Sequence, residues 1–147
     1  MLSGIDPVLT GELLWHLDAM GHSDDVVLAD AHFPAGRLAT RLVNLPGLGT
    51  PEVLRAIRTV VPADDGPALC LMASADGAVL PVHEELIRAT GLADSRARYL
   101  DRQEFYDAAQ HAYLIVRTGE QRTYGNALFR KGLVLQEAGG TGSGWDS

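Results

Sequence analysis

A small set of side chains in this sequence has the chemistry to move a proton or grip a polyol: His22, Asp30, His32, Arg102, Tyr106, Tyr124 and Asn126. His22 follows Gly21 and precedes the acidic turn Ser23-Asp24-Asp25, which puts an imidazole in a loop. Imidazole titrates near pH ~6.5 in model peptides, so it suits general acid or base work at neutrality; a solvated histidine beside two aspartates is the other reading. Asp30 closes the apolar run Val26-Val27-Leu28-Ala29, and either reaches the rim where α/β sheets hold ligands or caps the next turn. His32 shares that rim, in Asp30-Ala31-His32-Phe33-Pro34. A metal set of His22, Asp30 and His32 is discounted, because loop ligands without a supporting shell coincide by accident. Arg102 offers forked donors for sugar hydroxyls or a carboxylate, or is simply solvated. Tyr106, at i+4 from Arg102, can face the same space or pack in the core. Tyr124-Gly125-Asn126 places a phenol and an amide around a flexible glycine, fit for a polyol or for a turn. His16, His83 and His111 fall on predicted helices and read as structural or solvated.

The elements that must position these groups follow from spacing and end signals. Thr10 caps a helix whose face is Leu13, Leu14, Leu17 and Met20, with Gly21 as its stop. Val26 to Ala29 reads as a strand buried on both faces. Pro34, Gly36, Pro46, Gly47 and Gly49 break the next stretch into loops around a short strand at Arg41–Asn44. Thr50-Pro51-Glu52 starts a helix with a capping hydroxyl, a proline and an acid, and Val53, Leu54, Ile57, Val60 and Val61 form its buried stripe. Ala68 to Ser74 is a core strand, and Pro81 opens a helix that stops near Gly91. Arg98-Tyr99-Leu100 ends a strand, Asp101 caps a helix with Glu104 three residues on, Tyr113 to Val116 is a strand, and Ala127-Leu128-Phe129 is a last strand. Strands alternating with helices of about ten residues predict a three-layer α/β/α single domain with a largely parallel sheet. The glycine-rich end, residues 135–147 with Trp145, reads as a flexible tail on a domain of residues 1–134.

Composition narrows the classes. The 147 residues suit one domain with a real core. Twelve Lys+Arg against 19 Asp+Glu give a net charge of −7, a poor match for phosphate backbone or anionic lipid, so neither nucleic acid nor membrane is an expected partner. The single cysteine, Cys70, lies in an apolar run and reads as a small buried hydrophobe in a reducing compartment. With no apolar stretch of about 18 residues and no signal-peptide pattern, a cytoplasmic location is expected. P-loop, GxGxxG, HExxH and paired CxxC patterns are all missing, so ATP, NAD and structural zinc are unsupported; cofactor and metal are both expected to be none.

Taken in order, Met20-Gly21-His22, Asp30-Ala31-His32-Phe33-Pro34, Phe105-Tyr106-Asp107-Ala108-Ala109-Gln110, Thr118-Gly119-Glu120, Tyr124-Gly125-Asn126 and Lys131-Gly132 resemble the L-fucose mutarotase branch of the family that also contains D-ribose pyranase. The resemblance runs from about Ile5 to about Val134, which makes it far more specific than any one motif. It implies a cofactor-free isomerase that interconverts anomers of a free reducing sugar. It further implies a ring-forming α/β homo-oligomer, typically a decamer of two pentamers, with sites near subunit contacts. By matching position, His22 is implied as proton donor and Asp30, Arg102, Tyr124, Gly125 and Asn126 as the sugar-binding set, with Tyr106 at an aromatic helix position. Asp-Ala-His-Phe-Pro, Arg102 and the glycine of Tyr-Gly-Asn favour the fucose branch, since the ribose branch looks like Asp-Ala-Gly-Leu-Pro with a histidine in place of the arginine.

That chemistry suits the residues. Mutarotation removes a proton from the anomeric hydroxyl and delivers one to the ring oxygen, so that the ring opens, the carbonyl rotates and the ring closes on its other face. A positioned acid and base each contribute on the order of 100- to 10,000-fold. His22 is expected at the ring oxygen; Asp30, Tyr124 and water stay open as the opposing base. A D-ribose pyranase and a noncatalytic sugar-binding oligomer are the rival readings.

Overall fold

The computed structural model describes residues 1–135, so the glycine-rich tail beyond that point and Trp145 lie outside the described residues. The chain alternates helices and strands: α1 Gly11–Ala19, β1 Asp25–Ala29, α2 Ala35–Leu38, β2 Leu42–Leu45, α3 Thr50–Arg58, β3 Leu69–Met72, α4 Pro81–Thr90, β4 Ala97–Leu100, α5 Arg102–Gln110, β5 Leu114–Thr118 and β6 Ala127–Arg130. The strands form one sheet in the order β2-β5-β1-β6-β3-β4. β1 pairs parallel with β5, β5 with β2 and β3 with β4, whereas β6 runs antiparallel between β1 and β3. The sheet is therefore largely parallel, with one reversed strand near its middle.

Alternation along the strands divides the core between two faces. Val26 and Leu28, Leu69 and Leu71, Leu114 and Val116, and Ala127 and Phe129 pack against α1, α3 and α4. Val27 and Ala29, Met72, Ile115 and Leu128 pack on the other side against α2, α5 and Phe33. This is the expected α/β/α layering, and it explains why the β1 run is apolar throughout: every residue from Val26 to Ala29 is fully buried. Full burial of a Leu or Phe side chain contributes about 1.5–3 kcal/mol.

Several local expectations hold in detail. Thr10 Oγ1 accepts from the Leu13 amide at 3.2 Å, and Asp101 and Glu104 complete a reciprocal capping box at 2.8 and 3.1 Å. Others are corrected. Gly21 is not a left-handed stop: α1 ends at Ala19, Met20 is extended, and the positive φ falls on Ser23 (72°). The cap of α3 is Gly49, so Thr50 lies inside the helix and its hydroxyl turns to Glu120 instead. Val60 is 39 % exposed, because α3 ends at Arg58 and the 3.6-residue periodicity no longer applies. The stretch read as loops around Pro34 and Gly36 holds the short helix α2. Cys70 is only half-buried, with its thiol pushed up in pKa mainly by the burial it does have. His83, in contrast, is fully buried, its Nδ1 accepting from the Leu80 amide and its Nε2 hydrogen-bonding the Met72 carbonyl. Among the described residues, no helix is long and apolar enough to cross a membrane.

Candidate active site

Five strands point the same way, so the segments that leave β1, β3 and β4 emerge on one rim of the sheet. β6 opposes them, and so the segment that enters β6 lies on that same rim: Ala127, its first residue, registers with Leu28 near the end of β1. This reversal brings Tyr124-Gly125-Asn126 beside Asp30, 96 residues away in sequence. The Asp30 amide donates to Asn126 Oδ1 at 2.6 Å, and Asn126 Nδ2 donates back to Asp30 Oδ2 at 3.0 Å. The other carboxylate oxygen accepts from the His32 amide at 3.0 Å. Both side chains are buried and fully partnered, so the carboxylate is held in one orientation.

Around this pair lies a cavity of about 230 Å3 lined by Asp30, His32, Phe33, Met72, Arg102, Tyr106, Thr123, Tyr124 and Asn126. Arg102 opens α5 directly after the Asp101 cap, and Tyr106 stands one turn on, so both reach the cavity as their spacing predicts. Tyr106 also meets Phe33 edge to face at 5.3 Å between ring centroids, and Phe33 meets Phe105 in the same way at 5.9 Å. The wall is thus part aromatic and part hydrogen-bonding, with both a cation and a carboxylate in its lining. Its size suits one small polar molecule, below the ~300–1,000 Å3 of drug-sized sites.

Gly125 serves the turn by its lack of a side chain more than by flexibility. Tyr124, not Gly125, takes the left-handed backbone, at φ 64°. A Cβ on Gly125 would lie 2.9 Å from Glu120 Cγ, 3.1 Å from the Arg122 carbonyl oxygen and 3.3 Å from Val82 Cγ2, so the glycine is needed for close packing beneath the loop. Phe33, Met72 and Thr123 were not singled out in the sequence. Met72 carried a usable signal as the last residue of a core strand, since strand ends face the rim.

His22 does not join this cavity within one chain. It precedes β1, whereas Asp30 follows it, and the 5 intervening strand residues separate the two by about 16 Å at ~3.3 Å per residue. His22 sits instead at the opposite rim, its Nε2 3.4 Å from Asp64 Oδ1, in a small concavity with Ala63, Asp65, Leu133 and Leu135. The turn that carries it is tightly held. The Gly21 amide donates to Asp24 Oδ2 at 2.7 Å, and Lys131 Nζ donates to the Leu17 and Met20 carbonyls at 2.7 and 2.6 Å. Gly132 must be glycine, because a Cβ there would fall 2.2 Å from the Ala63 carbonyl oxygen. The set of His22, Asp30 and His32 therefore does not assemble in one chain, and no group of three or more His, Cys, Asp or Glu side chains stands at metal-binding spacing among the described residues.

Replacing Asn126 with Ala leaves the buried Asp30 amide without its acceptor and Asp30 Oδ2 without its donor. The expected cost is about 2–4 kcal/mol, read as a lowered urea midpoint at unchanged slope. A change below about 0.5 kcal/mol would show that this pair is solvated in solution.

A family profile described as the RbsD / FucU transport protein family matches residues 3–134. The chain is 38% identical over 141 residues to the L-fucose mutarotase of Glaesserella parasuis serovar 5 (strain SH0165), covering 91% of this chain and 97% of that protein. It is 36% identical over 146 residues to the human fucose mutarotase, covering 90% of this chain and 94% of that protein. Its fold superposes on the crystal structure of the fucose mutarotase in complex with L-fucose from Streptococcus pneumoniae with a TM-score of 0.83 at 33% identity, covering 91% of this chain and 100% of the other. With a family profile matching residues 3–134 and a relative 38% identical over 91% of its length, the chain belongs to the RbsD/FucU family.

Proposed function

We propose that this protein is a cofactor-free isomerase that interconverts the α and β anomers of L-fucose by acid/base ring opening and closure. The observation that carries this reading is the cavity itself: Asp30, Arg102, Tyr106, Tyr124 and Asn126 converge from separate segments on one sugar-sized space beside an aromatic wall. Carboxylate, amide and guanidinium together match the mixed donors and acceptors of a monosaccharide, and the rings of Phe33 and Tyr106 offer an apolar platform for its C–H face. Both curated relatives bear the name of fucose mutarotases, which favours that sugar over D-ribose.

His22 is the proton donor in this proposal, and its position at the far rim means that a second copy of the chain must deliver it. The exposure of this rim supports that arrangement. The His22 side chain is 52% exposed, and the neighbouring Leu133 and Leu135 present 57% and 78% of their surface, an apolar border suited to a subunit contact. Asp30, held rigidly by Asn126 and the His32 amide, has a fixed carboxylate to orient or deprotonate the anomeric hydroxyl. Arg102, Tyr124 and Asn126 hold the remaining hydroxyls, and Gly125 lets their loop close on the layer beneath. A cytoplasmic homodecamer is the setting that the family resemblance implies for this reading.

Saturation transfer between the two anomeric proton resonances of L-fucose tests it. Catalytic amounts of protein are expected to speed exchange, with D-ribose ring interconversion accelerated less. Sugar binding without accelerated exchange would identify a noncatalytic sugar-binding protein instead.

A further inference from the structure

Among the described residues, the most heavily bonded charged group lies beneath the sugar site, outside its cavity. Glu120 is 6% exposed and follows β5, on the rim shared by Asp30 and Tyr124. Its Oε1 accepts from the Thr50 amide at 3.3 Å, at the N-terminus of α3, where a negative charge complements the helix dipole. The carboxylate also takes the Arg122 guanidinium from two sides, Nε on Oε2 and Nη2 on Oε1, each at 3.0 Å, and Oε2 accepts the Arg122 backbone amide at 3.2 Å. Arg122 extends the chain of contacts to Glu85 on α4. Meanwhile the Glu120 carbonyl accepts from the Ala31 amide at 2.8 Å, directly after Asp30.

Glu120 thus touches both halves of the site from below. Its backbone secures the loop that carries Asp30. Its side chain fixes Arg122, whose carbonyl accepts from Gly125 at 3.3 Å and so closes the turn that forces Tyr124 into the left-handed region. A tyrosine at φ 64° is strained and persists only where its surroundings impose it. The imposing surroundings are the Glu120–Arg122 clamp and the Gly125 backbone pressed onto Glu120 Cγ. Nothing in the chemistry of sugar ring opening calls on either charge, since neither residue lines the cavity.

We propose that Glu120 is the positioning residue of this site: acting through Arg122, it sets the Tyr124 and Asn126 side chains at the distance the sugar requires. The inference deepens the mutarotase reading and rests on it. Misplacing a binding group by about 1 Å can cost on the order of 100-fold in rate.

Glu120→Gln keeps size and some acceptors but removes the charge that grips Arg122. We expect a 10- to 100-fold loss of kcat/KM for L-fucose exchange per folded molecule, with the folded fraction taken from urea unfolding. In a Tyr124→Phe background the same change should cost less than about 3-fold, because two residues acting through one contact are non-additive. The Gly125 amide should exchange with solvent at least about 10-fold faster, while amides of β1 and β5 keep their protection. Arg122→Lys, which retains the charge but loses the fork, serves as the second variant should Glu120→Gln fail to fold, and should shift the same quantities in the same direction. Unchanged kinetics per folded molecule, losses that multiply fully with Tyr124→Phe, or an unchanged Gly125 amide would each overturn the proposal. The amide measurement needs no sugar, so it decides on Glu120 even if wild-type protein leaves L-fucose untouched, which would sink the mutarotase reading alone.

Discussion

Chains carrying His22→Ala and chains carrying Asp30→Asn, each inactive alone, should recover L-fucose exchange when refolded together. The expectation follows from the direction of β1. His22 enters the strand and Asp30 leaves it, so a single chain holds them about 16 Å apart, well beyond the reach of one proton transfer. If His22 supplies a proton to the sugar that Asp30 binds, the two residues at any one site come from different copies. Each substitution alone removes a group worth on the order of 100- to 10,000-fold. In a 1:1 mixture of closed symmetric assemblies, about one site in four draws an intact His22 and an intact Asp30, so recovery to about a quarter of wild-type activity is expected. Failure of the mixture to exceed its parents, with mixed assemblies verified by mass, would rule out donation across a contact. Full activity of His22→Ala would remove His22 from the chemistry altogether.

The largest effect on stability is expected at Gly119. Its backbone conformation is open to any residue, so the requirement is one of space. A Cβ there would sit 2.0 Å from the Pro46 carbonyl oxygen and 2.9 Å from the Pro46 carbonyl carbon. Both are backbone atoms, which cannot swing away as a side-chain tip does, and the Gly119 amide is itself tied to the Leu48 carbonyl at 2.8 Å. Relief demands that the β2–α3 connection retreat by more than about 1 Å, which disturbs the start of α3 and its bond to Glu120. Gly119→Ala should cost more than about 3 kcal/mol or abolish folding. Gly36→Ala is the matched control: it lies in α2 with open space where the Cβ would go, and should stabilise by about 0.4–1 kcal/mol. Equal urea midpoints for the two variants would show that the Pro46 contact is absent in solution.

Acid should act through the same region. The Arg122 guanidinium, foremost, holds the Glu120 carboxyl below the usual carboxylate range. A lowered folded-state value means that the stabilisation is complete above the ordinary carboxylate pKa and falls away as pH drops through the lowered one. The site should therefore loosen only at distinctly acidic pH, and its proton chemistry near neutrality is insulated from this pair.

How much of this was legible in the residues varies with the range of the interaction. Thr10, Asp101 with Glu104, and Pro51 act within one helical turn, and each does what its neighbours in sequence dictate, apart from the shift of the α3 cap to Gly49. The continuous apolar run of β1 announced a strand covered on both faces. The pairing of Arg102 with Tyr106 followed from helical spacing and survives intact. Val60 and α2 were misread because short helices and helix ends depend on a turn or less of chain, where periodicity carries little information.

Local pattern, by itself, determined the class of fold, the alternation of strands and helices, and the residue types available for proton transfer and polyol binding. Only the tertiary structure decided which of those residues meet. The reversal of β6 is invisible in its four residues, yet it places the Tyr124 loop against Asp30. The same sheet geometry sends His22 to the opposite rim, although it lies far closer to Asp30 in sequence than Arg102, Tyr106, Tyr124 or Asn126 do. Strand direction and backbone-to-backbone contact arise from the summed packing of distant segments, and no single stretch of sequence encodes that sum.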